Sequence, residues 1–154
     1  MKTTLALALL ALIGALGCGP SFQLNTPPGF VELDDDSAYD YRATTADGLV
    51  IGVREIDHEP EGELSFWVQA IQNRMRDRGG YALLETRSVQ SADGVAGKQL
   101  RFGHDEQGNR PYLYYVAVFV TDSTIYLVEA GGTKEQMTKQ AAQIDAVLRG
   151  FRTE

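Results

Sequence analysis

Two histidines, one cysteine and several acidic runs are the side chains in this 154-residue sequence whose types suit metal or covalent chemistry. His58 lies in Asp57-His58-Glu59-Pro60-Glu61-Gly62-Glu63, and His104 opens His104-Asp105-Glu106. Imidazole and carboxylate donors together could hold a divalent cation, and two histidines with a carboxylate could make a transition-metal site. Neither segment has the spacing of a calcium loop or a zinc motif, so both read as solvated acidic loops. Asp34-Asp35-Asp36 could hold calcium weakly on the same grounds and reads as a solvated turn. Covalent catalysis has less to build on. There is no Gly-x-Ser-x-Gly elbow, and nothing in the sequence sets a serine beside either histidine. The pairs Gly79-Gly80 and Gly131-Gly132 lack the lysine-bearing continuation of a phosphate loop and read as helix-capping glycines. No cofactor, no metal and no enzymatic activity are expected; the alternative is a small-molecule or divalent-metal binder that uses these His-containing acidic loops.

The tyrosines are the better candidates for recognition. Tyr81, Tyr112, Tyr114, Tyr115 and Tyr126 fall on segments that read as strands, and a tyrosine offers a broad apolar ring with a polar tip. Tyr112, Tyr114 and Tyr126 are the candidate binding residues: a sheet face left open beside them could receive a peptide or an apolar ligand. The competing reading buries their rings in the core.

Cys18 is the only cysteine, so the chain can form neither an internal disulfide nor a thiolate metal site. It ends the stretch MKTTLALALLALIGALGC, in which one basic residue, Lys2, precedes an apolar run. That run is too short to span a bilayer, which takes about 20 apolar residues, and has the form of a secretory signal. Ala15-Leu16-Gly17-Cys18 resembles the bacterial lipoprotein cleavage site, with Ala15 where leucine is usual. The resemblance implies cleavage before Cys18 and a diacyl or triacyl lipid on that residue, joined through a thioether at its sulfur. Two or more acyl chains hold a protein stably, where a single chain anchors marginally. The expected organisation is a lipoprotein signal peptide at 1–17, a lipidated tether at 18–27 and one α+β domain at 28–154. Gly19 stands where an aspartate would favour retention at an inner membrane. In a two-membrane bacterium the expected location is therefore the cell envelope, on the outer membrane facing the periplasm.

Charge narrows the partners. Without residues 1–17 the chain carries 13 basic and 21 acidic side chains, a net charge of −8, and no Lys/Arg-rich run. This argues against nucleic acid and anionic headgroups. The membrane is reached through the lipid, and the remaining partner is a protein of unknown identity.

The elements that must position these residues follow from periodicity. Phe22 and Leu24 alternate with polar residues as a short edge strand would, and Pro27-Pro28-Gly29-Phe30 is a turn. Strands are expected at 38–45 and 49–56, joined through Asp47-Gly48. Leu64, Trp67, Val68, Ile71 and Met75 make one apolar stripe on a helix at 63–78. Strands follow at 81–91, 95–103, 111–121 and 124–130. The third of these is apolar on both faces, as a central strand covered on both sides would be. A single closing helix at 133–149 starts with a Thr133/Gln136 capping box. This order gives an α+β sandwich: a mostly antiparallel sheet of about six or seven strands flanked by helices.

Pro28-Gly29-Phe30, Gly94-Val95-Ala96-Gly97, Tyr126-Leu127-Val128 and the closing helix ending in Phe151 resemble the Mog1/PsbP-like domains over 27–152. The resemblance implies an α/β/α sandwich and a non-catalytic accessory or binding role. Members include photosystem assembly subunits, a nuclear-transport regulator and bacterial lipoproteins. It supplies no site residues.

Overall fold

Leu64–Gly79 forms α1 because its apolar residues recur every three or four positions, and Gly80 ends it. Gly80 takes φ of 65°, the left-handed conformation that glycine adopts without strain, and its N–H reaches back to the Met75 carbonyl. The fold is that of a computed structural model, which describes residues 20–34, 38–106, 108 and 110–153. Cys18, the signal segment and Asp35-Asp36 lie outside the described residues.

The strands are β1 (Phe22–Gln23), β2 (Phe30–Glu32), β3 (Tyr41–Thr45) and β4 (Val50–Asp57) before α1. After it come β5 (Ala82–Gln90), β6 (Ala96–Glu106), β7 (Arg110–Val120) and β8 (Thr124–Thr133). The chain closes with α2 (Lys134–Lys139), α3 (Ala141–Gly150) and β9 (Arg152–Thr153). Seven strands form one antiparallel sheet in the order β2-β3-β4-β8-β7-β6-β5. β4 therefore pairs with β8 across the intervening helix and three strands. That crossover brings the first hairpin against the most apolar strands.

Alternation along the central strands divides the core in two. On one face Ala43, Ile51, Val53, Ala117, Phe119, Val128 and Ala130 meet Met137 of α2 and Ile144, Val147 and Leu148 of α3. Phe22, Phe119 and Tyr126 surround Phe151, with ring centroids 5.4 to 5.8 Å from it. On the other face Leu100, Phe102, Val116, Val118 and Ile125 meet the α1 stripe of Leu64, Trp67, Val68, Ile71 and Met75. The expected α+β sandwich is the observed architecture.

Three boundaries differ from the sequence reading. Phe22, placed at 18–27 yet also read as the start of an edge strand, is buried in β1, which pairs with β9, so ordered structure begins before residue 28. The expected single closing helix is two: α2 stops at Gln140, whose φ of −101° and ψ of 14° leave the helical range, and α3 starts again at Ala141. Gly131 and Gly132 are strand residues, not a cap. A Cβ on Gly132 would stand 3.0 Å from Gln136 Oε1. Glycine there leaves room for the Gln136 side chain, which accepts from the Thr133 N–H at 2.8 Å and completes the expected capping box.

Candidate functional site

The structure divides the three candidate tyrosines. Tyr112 and Tyr114 share the α1 face of β7, one pleat apart. Tyr126 lies on the opposite face, fully buried, its hydroxyl 2.8 Å from Ser21 Oγ and donating to the Ser21 carbonyl at 3.0 Å. It is a core residue that locks the N-terminal segment to the sheet. The three do not form one surface.

Tyr112 and Tyr114 instead border a part of the sheet that α1 leaves open. The helix packs over β5, β6 and β7. Beside it, on β3, β4 and β8, the same face carries Arg42, Val50, Gly52, Arg54, Glu129 and Gly131. With Tyr39, Tyr112 and Tyr114, all of these but Arg54 line a shallow cavity of about 210 Å³. Its floor is low because Gly52 and Gly131 carry no side chain. The Tyr39 ring occupies the space over Gly52, where a Cβ would lie 2.6 Å from Tyr39 Cδ1.

A charge sits in this floor. Glu129 is only 5% exposed, and Arg54 Nη2 pairs with its Oε2 at 3.2 Å. Arg54 also donates to the Tyr39 hydroxyl at 2.7 Å and lies over the Tyr39 ring at 4.2 Å. Arg42 approaches the same ring at 5.8 Å. Glu129 Oε2 makes no regular hydrogen bond, nor does the buried Arg54 Nε, so charge attraction holds that side of the cluster. Burial, reinforced by the neighbouring Glu129 carboxylate, pushes the Tyr114 hydroxyl far above its ordinary pKa and keeps it protonated. Burial raises Tyr39 as well, again with Glu129 adding to it. The result is a guanidinium fixed at the surface between phenol rings, suited to noncovalent recognition.

A second partly open region lies on the opposite face, over β5 and β6, where α3 reaches only with Asp145 at its border. Arg101 stands 4.4 Å over the Tyr115 ring, donates to Gln99 Oε1 at 2.9 Å and lies 3.8 Å from both Glu85 and Asp145. Leu84, at an irregularity in β5, is 61% exposed beside it. Neither arginine cluster was expected from sequence. The available signal was charge interrupting apolar strands: Arg54 in Val50–Asp57 and Glu129 in Thr124–Thr133.

The histidines do not meet. His58 Nδ1 donates to the Thr121 carbonyl at 2.8 Å, and its Nε2 accepts from the Gly62 N–H at 2.9 Å, pinning the loop before α1. His104 stacks on Tyr81 at 5.0 Å, with Nδ1 3.2 Å from the Gly80 carbonyl, beyond the other end of α1. Sixteen helical residues span about 24 Å, so the two imidazoles cannot share one cation. Among the described residues no three His, Cys, Asp or Glu side chains converge on a metal-sized site. No described helix is long and apolar enough to cross a membrane.

No protein-family model matches the chain, and no curated protein matches it by sequence. Its structure is similar to that of cyanobacterial PsbP from Synechocystis, with a TM-score of 0.62 and 12% identity over 87% of each chain. It is equally similar to the Ran-binding protein Mog1p of Saccharomyces cerevisiae, with a TM-score of 0.62 and 13% identity over 86% of this chain and 90% of that one. A Pseudomonas aeruginosa protein of unknown function follows at a TM-score of 0.52 and 10% identity, over 84% of this chain and 81% of that one. At these identities the likeness establishes the fold, which is Mog1/PsbP-like.

Proposed function

We propose that this chain is a non-catalytic docking protein of the cell envelope, moored by a lipid on Cys18, which holds a protein partner on the open surface formed by Tyr39, Arg42, Arg54 and Tyr112. The observation that carries the reading is the fixed guanidinium of Arg54. Glu129 and Tyr39 order it before any partner arrives, which removes part of the entropy cost of binding. Arginine and tyrosine are also the residue types enriched where protein interfaces gain most of their affinity. The shared fold of a Ran-binding protein is consistent with this use of the scaffold. Outer-membrane placement rests on Gly19 following Cys18.

Two measurements test the parts separately. A palmitate analogue fed to cells should label the protein and not its Cys18→Ser variant; equal labelling of both removes the anchor. A photo-crosslinking residue at Tyr112 should trap a partner that one at Lys139 does not, and Arg54→Glu should abolish the product. Identical products from both positions would rule out the proposed surface.

A further inference from the structure

β5 is the outer strand of the sheet. It pairs with β6 on one side, and no other described strand pairs with its free edge. It is nine residues long and exposed at all but Leu83 and Val89, which are partly covered. Such an edge presents unpaired N–H and C=O groups to any extended segment. Folded proteins commonly guard long edges with charges that repel an arriving copy. The charges on β5 do the opposite. Glu85 and Arg87 sit two residues apart and face the same side, opposite Arg101 and Gln99 of β6, and they contact each other at 2.9 Å. If two identical strands align antiparallel about Thr86, Glu85 of each copy stands opposite Arg87 of the other, and the two threonines face each other. Opposite charges and Thr–Thr pairs are favourable across antiparallel strands, while like charges there are destabilising.

We infer that β5 pairs antiparallel with β5 of a second copy of this chain, about a two-fold axis that passes through Thr86 perpendicular to the sheet. The surface is its own complement, as a closed two-fold dimer requires. The pairing also brings the exposed Leu84 alongside Ser88 and Val89 of the second copy. The irregularity between Leu83 and Glu85 confines the regular ladder to its centre. The interface is therefore small, below about 1,200 Å² in total, and the dimer forms only at high concentration. The axis leaves equivalent faces of the two copies on the same side. Ser21, bonded to Tyr126 on the α2 and α3 face, then emerges on that side in both. Two copies tethered to one bilayer need that arrangement, and it turns the Arg54 surface away from the membrane. This corollary rests on the proposed lipid anchor; the strand pairing does not.

The test uses the Cys18→Ser protein in solution, so its outcome is independent of lipidation and of any partner. Sedimentation up to several hundred micromolar should show monomer passing to dimer. Glu85→Arg alone and Arg87→Glu alone should each remain monomeric, since each sets like charges opposite one another. A one-to-one mixture of the two variants should dimerise again, because each strand then offers the other its missing sign. Thr86→Cys in the same background should form a disulfide-linked dimer under mild oxidation, since facing positions lie about 4.5–5.5 Å apart at Cβ. Wild-type protein that stays monomeric throughout overturns the proposal. So does a dimer that survives both charge reversals, or a mixture that associates no better than its components. If either variant misfolds by circular dichroism, the Thr86→Cys crosslink decides alone: its absence rejects the pairing.

Discussion

Two parts of the sheet lie beyond the main helical cover, on opposite faces, and each holds an arginine lying over a tyrosine beside a glutamate. Near Tyr39 the carboxylate of Glu129 is buried and the cation is at the surface, with side-chain exposures of 5% and 37%. Near Tyr115 the order is reversed: Arg101 is 16% exposed and Glu85 46%. The difference decides what each cluster can do. A buried carboxylate must keep its cation, so Arg54 is committed to one geometry. An exposed carboxylate is satisfied by water, so Glu85 is free to exchange partners. The first cluster is built as a fixed surface and the second as an adaptable one.

The largest effect should come from removing Glu129, with Glu85 as its counterpart. Glu129→Ala takes the partner from Arg54 and the acceptor from Tyr114, and should cost about 2–3 kcal/mol of stability, below the full value for breaking a buried pair because Arg54 still reaches water. Glu85→Ala should leave the urea midpoint unchanged, because the Glu85 contacts are solvent-exposed. Equal losses from the two variants would erase the distinction.

That contrast was hidden in the sequence for a topological reason. Local devices were legible: the α1 stripe, the Gly80 cap and the Thr133/Gln136 box depend on neighbours within one or two turns. Arg54 and Glu129 meet because β4 pairs with β8, which places Gly52 opposite Glu129 and Arg54 opposite Leu127. No local pattern announces that pairing. The same ignorance joined Tyr114 to Tyr126. Their facing partners are Gly131 and Phe119, and only this register shows that they occupy opposite faces. Gln140 had no signature either, being a fair helix former that lies where one helix has to turn into another.

Next in size is Gly52→Ala. Its Cβ would collide with the Tyr39 ring and lie 3.3 Å from the Tyr41 carbonyl, so the ring must leave the sheet. Overpacking of this kind costs about 1–3 kcal/mol, and the displaced ring should no longer order Arg54. Crosslinking from position 112 should therefore weaken in step with stability. Unchanged crosslinking would mean that Tyr39 does not organise the surface.

Alkaline pH separates the clusters through Tyr114. Its folded pKa is raised, so the stability it contributes is complete below the unfolded tyrosine range near pH 10 and declines as pH rises above it. One such proton steepens the decline by about 1.4 kcal/mol per pH unit. Tyr114→Phe should flatten the curve by that amount above pH 10. Superimposable alkaline curves for wild type and Tyr114→Phe would show that neither burial nor Glu129 holds that hydroxyl protonated.

The finest comparison exchanges arginine for lysine at each site. Lysine keeps the charge but loses the flat guanidinium and its several donors. At Arg101 the loss is the contact over Tyr115 and the bond to Gln99, while water and lysine together still serve Glu85 and Asp145. Arg101→Lys should cost about 1 kcal/mol, the worth of one partly covered cation–π contact. Arg54→Lys must hold Glu129 and the Tyr39 hydroxyl with one ammonium, and Glu129 is only 5% exposed. Its cost should exceed that of Arg101→Lys in the same thermal scan. The excess should vanish when Glu129→Gln is already present, since a neutral amide no longer demands a paired cation. An excess that persists in the Glu129→Gln background would assign it to lost packing on Tyr39 and not to the buried charge.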